Sequence, residues 1–268
     1  MSVAETAADS PAAATRRALS SPAWRWLAAA CGVFVSDLLL HLPITDVCDT
    51  LVRRFGFETY DLVLRRGFLG LGAVMVAVIA LRRSPQRGLL LASAGALVGV
   101  ALVFQRVLLV SGIENIHYPQ YALIVWLLMQ GGLPGESAYL VSTGLGIADE
   151  GYQLATMPRG TPGYFDWNDV VLNALGAAFG VVLVLALRRN GELTPRRLHR
   201  VWIGFVAAAI MTFLLSPPMW TPFYSVTPGG RVFHKLAGFE AVIAVAALWA
   251  AVRGVAASVT AISVNRSR

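Results

Sequence analysis

The chain has 268 residues, of which 56% are hydrophobic and only 14% charged, and its mean hydropathy is +0.63. A soluble domain of this length has no interior large enough for that much apolar side chain, so the composition excludes a soluble protein and predicts a polytopic membrane protein. The net charge of +7 comes almost wholly from arginine, Lys235 being the single lysine; it gathers in loops between apolar runs, which is a topology signal and not a nucleic-acid-binding patch.

Residues 1–23 are rich in Ala, Ser and Thr and are expected to be a disordered tail. No small-residue cleavage site follows the first apolar run, which is therefore expected to stay as a helix. Eight apolar segments follow, at 24–42, 67–81, 88–110, 118–133, 137–156, 168–187, 201–216 and 236–253. They predict an all-α transmembrane bundle of about eight spans: three in 24–113, a three-span core in 114–187, and two more with a tail in 188–268. Cys31 and Cys48 have neither metal-ligand nor disulfide spacing, and no metal or other cofactor is expected.

Arginine sets the orientation. With a cytoplasmic N-terminus, fourteen of the 22 basic residues fall on the inner side, and the short loops at 82–87 and 188–200 carry the strongest bias. An even helix count then places both termini in the cytoplasm, and the loops at 111–117, 157–167 and 217–235 face outward. Two outward connections exceed simple turns. The stretch 46–66 mixes Leu51, Phe55, Phe57 and Tyr60 with Arg53, Arg54, Glu58 and Asp61, which fits either an interfacial amphipathic helix or a solvated loop. The stretch 216–235 is rich in proline and aromatic residues and is expected to be irregular, anchoring at the headgroups.

Polar residues concentrate between 114 and 173. Ser142, Gly146, Asp149 and Gln153 follow at steps of four, three and four, one helical face that is small at one end and polar at the other. Asp169, Asn173, Gly176 and Gly180 repeat the spacing, and the two matching stripes imply two helices in contact. Glu150, Asp166 and Arg159 add charge around them. Glu114, His117 and Tyr121 share a face if their helix already runs through 114, although Pro119 is comfortable only in a first turn. Arg106, within an apolar run, needs a partner, for which Glu114, Asp149 and Glu150 are candidates. Asp37, His41, His234, Lys235 and Glu240 are outlying polar groups.

These residues carry a resemblance. Glu114-Asn-Ile-His117-Tyr-Pro-Gln-Tyr121, Asp149-Glu150-Gly-Tyr-Gln153, Pro158-Arg159 and Asp169-Val-Val-Leu-Asn173 together resemble the VanZ-like family of bacterial membrane proteins, over about 114–187. Asn115 stands where the family pattern has lysine. The resemblance implies a multi-pass protein of the bacterial cytoplasmic membrane, linked to the cell envelope and to antibiotic resistance.

The expected function is binding, and possible processing, of an anionic lipid or lipid-linked glycan in an outward-facing polar pocket. His117, Asp149 and Glu150 would handle protons, Arg159 would hold a phosphate through its planar fork, and Gln153, Asp169, Asn173, Glu114, Tyr121 and Arg106 would complete the binding surface. Two alternatives compete: a transporter or flippase whose carboxylates carry protons, and a non-catalytic envelope assembly partner whose polar stripes only join helices. No nucleic-acid partner is expected.

Overall fold

The computed structural model describes residues 23–82, 87–156, 165–187, 224–226 and 232–260. Within them are α1 (Ala23–Phe55), α2 (Phe57–Leu81), α3 (Arg87–Val107), a 3-10 turn (Gly112–Ile116), α4 (His117–Gln130), α5 (Gly135–Thr156), α6 (Trp167–Leu187), a hairpin of β1 (Tyr224–Val226) and β2 (Val232–His234), and α7 (Gly238–Thr260). Five helices, α1, α2, α3, α6 and α7, are long and apolar enough to cross a membrane. Apart from the hairpin the described residues are helical, and the five candidate spans point to a membrane protein. The expected spans at 118–133 and 137–156 are helices too, but α4 has only 14 residues and α5 carries the polar stripe, so neither joins those five. The seventh expected segment, 201–216, and the arginine loop at 188–200 lie outside the described residues.

The first half departs from expectation. Of the two alternatives for residues 46–66 the stretch is helical and not a solvated loop, but it is no separate connection: it completes α1, which at 33 residues extends roughly 50 Å, and begins α2. A single residue joins the two helices. Gly56 has a φ of +80°, its N–H bonds to the Val52 carbonyl at 2.9 Å and its own carbonyl accepts from Tyr60 at 3.1 Å. Glycine adopts that backbone without steric cost, which is why the break falls there. Pro43 removes one hydrogen bond from the interior of α1.

α6 is the centre. Of its 21 residues 17 are buried, as expected of a helix that is apolar all round. Two glycines bring α4 against it backbone to backbone: a Cβ on Gly176 would lie 2.6 Å from the His117 carbonyl oxygen, and one on Gly180 would lie 2.8 Å from the Ala122 Cα. α5 packs on another side of α6, where a Cβ on Gly146 would meet the Asn173 side chain at 2.7 Å. The two stripes therefore do touch at Gly146 and Asn173, while Gly176 and Gly180 serve α4. α1 runs antiparallel to α4, with Leu27 on Gly131 and the Trp26 and Trp126 rings edge to face at 5.5 Å.

The α4–α6 contact gives a direct test. Gly176→Ala should destabilise the purified protein by about 1–3 kcal/mol, because its methyl group must displace backbone. Gly95→Ala, where nothing lies within 4 Å, should be neutral or slightly stabilising. Thermal unfolding in detergent compares them.

Candidate functional site

α4, α5 and α6 bring their polar ends together at one end of the bundle. The 3-10 turn ends at Ile116, so α4 begins at His117 and Pro119 falls in its first turn, where its missing N–H has no intrahelical acceptor to leave empty. His117 Nε2 lies 3.6 Å from Asp169 Oδ2. The Tyr121 hydroxyl, fully buried, is 3.5 Å from Asp149 Oδ2, and Gln153 Nε2 donates to Glu150 Oε1 at 3.3 Å. Asp149 and Glu150 are each only 2% exposed. Asp169, His117, Asp149 and Asp166 are the charged groups closest to Glu150 in electrostatic effect. Thus His117, Tyr121, Asp149, Glu150, Gln153 and Asp169 form one constellation.

The sequence placed Asp37 and His41 outside it, and the structure brings them in. One turn apart on α1, they face the same cluster: Asp149 and His117 act on Asp37, and His41 acts on both Asp37 and Asp149. Their spacing of four was legible as one polar face of α1; which helix that face meets was not.

Asn173 is fully buried against Gly146, and neither end of its amide has a hydrogen-bond partner among the described residues. His117 Nδ1, Asp149 Oδ1 and the buried hydroxyl of Ser142 are likewise without partners among the described residues. Buried polar atoms are otherwise almost always paired, so these four residues have binding capacity that the fold itself does not use. Among the described residues no three His, Cys, Asp or Glu side chains are arranged to hold a metal ion.

Other expected members have structural duties. Glu114 is not on the face of His117 and Tyr121; it caps the 3-10 turn, accepting from the Val110 and Ser111 amides at 2.8–3.1 Å. Asn115 is fully buried, its carbonyl accepting from Gln105 at 2.7 Å and its amide donating to the Gly112 carbonyl at 2.8 Å. Asp166 caps α6 by accepting from the Asn168 amide at 2.9 Å. Arg106 is exposed on the last turn of α3. Arg159 lies outside the described residues. Sequence reasoning also passed over Asn168, which donates to the Leu108 and His234 carbonyls at 3.2 and 2.8 Å and accepts from Leu236 at 2.9 Å. It ties α3, β2 and the start of α7 to the end of α6 that carries the cluster.

No protein-family model, curated protein or solved structure matches the chain.

Two outcomes follow from these structural roles. Asn168→Ala leaves three buried backbone groups without partners and should cost about 1–3 kcal/mol or more in thermal unfolding, with Asn168→Asp restoring at most the one acceptor bond. Burial, then the nearby Asp169, raises the Glu114 carboxyl from 4.5 to about 8 against the two amides that donate to it. A folded value above the unfolded one means that its contribution is complete below 4.5 and is lost as pH rises through about 8. Wild type should therefore lose melting temperature relative to Glu114→Gln as pH is raised through that range, because the amide keeps the acceptor and cannot ionise.

Proposed function

We propose that the protein binds a lipid-linked glycan, with the sugar in the polar cluster and the hydrocarbon in the surrounding bilayer. The observation that carries this is the set of unpaired buried groups on Asn173, Asp149, His117 and Ser142, drawn from three helices. Sugar hydroxyls both donate and accept, and they match a site made of amides, carboxylates, a tyrosine and imidazoles. A phosphate alone matches it poorly, since the described cluster holds Asp37, Asp149, Glu150 and Asp169 against His41 and His117. The anionic link of such a lipid falls to Arg159, next to the cluster in sequence and suited by its planar fork to a phosphate. Asp149, Glu150 and His117 are the groups for proton transfer if the ligand is also processed.

The topology that goes with this proposal has eight spans, both termini in the cytoplasm, and the cluster on the outer face of the bacterial cytoplasmic membrane. The arginine distribution and the VanZ-like motif residues over 114–187 support it.

A proton-coupled transporter is the second proposal. One observation favours it: Asp37 and His41 extend the titratable groups onto a fourth helix, α1, near the middle of its length.

Purification with native lipids followed by mass spectrometry separates these ideas. Wild type should retain a glycan-bearing lipid; Asn173→Leu, Glu150→Gln and Arg159→Ala should each reduce retention roughly tenfold, the effect of losing one charge-assisted or buried hydrogen bond. Unchanged lipid profiles in all three variants would sink the glycan proposal. Uptake driven by a pH gradient in proteoliposomes, lost in Asp37→Asn, would support the transporter instead.

A further inference from the structure

His234, the last residue of β2, is fully buried, yet neither of its ring nitrogens has a hydrogen-bond partner among the described residues. The chain around it is pinned at three points. Its carbonyl accepts from Asn168 Nδ2 at 2.8 Å, the Leu236 amide donates to Asn168 Oδ1 at 2.9 Å, and the Ala237 amide donates to Glu240 Oε2 at 2.7 Å at the start of α7. The imidazole takes no part in this: its Nε2 is 3.7 Å from that same Glu240 oxygen, beyond hydrogen-bond length. A buried ring with two unpaired nitrogens costs free energy that an apolar ring in its place would not. What sets it apart from an apolar ring is that it takes a proton near neutral pH.

Protonation turns both nitrogens into donors in a place that offers them little. Nδ1 has no acceptor among the described residues, and the Glu240 oxygen nearest Nε2 already holds the Ala237 amide. The titratable groups on the surrounding elements are Glu240 on α7, Asp166 and Asp169 at the start of α6, Arg106 at the end of α3 and Lys235 next in the chain, while β1 pairs Tyr224 with His234 in register. Glu240 favours the imidazolium, but burial opposes it and prevails, so the ring is held below its ordinary value of 6.5. A folded value below the unfolded one means that the contribution of this contact is complete above 6.5 and is lost as pH falls from there through the folded value.

We propose that His234 is an acid-sensitive latch: neutral, it lets residues 234–237 lie against Asn168 and Glu240; protonated, it is drawn out toward water, and the bonds to Asn168 and Glu240 open with it. Asn168 immediately precedes Asp169, which lies 3.6 Å from His117, so release at this point loosens the start of α6 where it carries the polar cluster. The latch goes beyond the glycan proposal and does not depend on what the cluster binds.

The Leu236 and Ala237 amides report on the latch, since their partners are Asn168 and Glu240. Hydrogen exchange of the full chain in nanodiscs is followed by mass spectrometry and corrected for the intrinsic effect of pH on amide exchange. Wild-type protection at 236–237 should fall as pH drops below 6.5, by up to roughly tenfold per pH unit, and protection of the Asn168 amide should fall with it. His234→Gln, which cannot titrate, should be flat over the same range. Glu240→Gln keeps an acceptor for the Ala237 amide but removes the anion that favours the imidazolium, so the loss should extend to lower pH; this variant carries the test should His234→Gln fail to fold. Wild-type protection that stays level on acidification, or rises because Glu240 captures the cation, overturns the proposal. So does a loss that persists in His234→Gln or is unaltered in Glu240→Gln. A loss at 236–237 with constant protection at Asn168 overturns the link to α6.

Discussion

Everything at the polar end of this bundle depends on how closely α4 lies on α6. In hydrocarbon the exclusion of water gives no force between helices, so association rests on packing and buried hydrogen bonds, and small residues decide where backbones meet. Gly176 and Gly180 let the first turns of α4 lie directly on α6, with the His117 carbonyl and the Ala122 Cα where side chains would otherwise stand. No side chain intervenes, so the residues of α4 project to either flank. His117 and Tyr121 go toward Asp169 and Asp149; Tyr118, Ala122 and Trp126 go toward an apolar groove between α2 and α3. One backbone contact thereby separates the polar cluster from the apolar groove.

The polar residues divide by whether the fold uses them. Irregular backbone at a membrane-protein helix end must find partners within the protein. Glu114, Asn115, Asp61, Asp166 and Asn168 supply them, each bonded to main-chain groups where a helix or turn starts or stops. Ser142, Asp149, His117 and Asn173 lie deeper and have bonding capacity left over. A purely structural stripe should show its amides joined across the helix contact. Asn173 sits directly over Gly146, where an interhelical amide bond is expected, and makes none with the described residues.

The sequence carried the helical periods well and the side-to-side relations poorly. The spacing Ser142, Gly146, Asp149, Gln153 identified a face, and the face is buried over its first three members because polar side chains in an apolar run must look inward. The same logic could not say that α6 offers its glycines to α4 and its Asn173 to α5, since both relations satisfy one spacing. Gly56 was hidden for a different reason: mixed charge around 46–66 fits an interfacial helix or a solvated loop alike, yet one residue at positive φ suffices to turn a helix into its successor. Asp37 and His41 sit alone in an apolar helix and gain meaning only when α1 lies along α4. Glu114 shows the converse. Its place in a motif made it look like site chemistry, whereas the 3-10 turn aims it at the Val110 and Ser111 amides.

The partition by α4 constrains any lipid-like ligand of the polar cluster. At Gly176 and Gly180 α4 and α6 touch backbone to backbone, which closes the direct route there from the polar cluster to the apolar groove between α2 and α3. Among the described residues, Leu39 and Leu40 on α1 and Leu140, Val141 and Ile147 on α5 offer an exposed apolar surface on the cluster's own side of α4. α1 is a lightly packed wall, with only 6% of its span window buried against 89% for the central α6. It also contributes Asp37 and His41 to the cluster, just before Pro43 interrupts its hydrogen bonding. A displacement of α1 would therefore change access and chemistry together, since Asp37 and His41 would move with it.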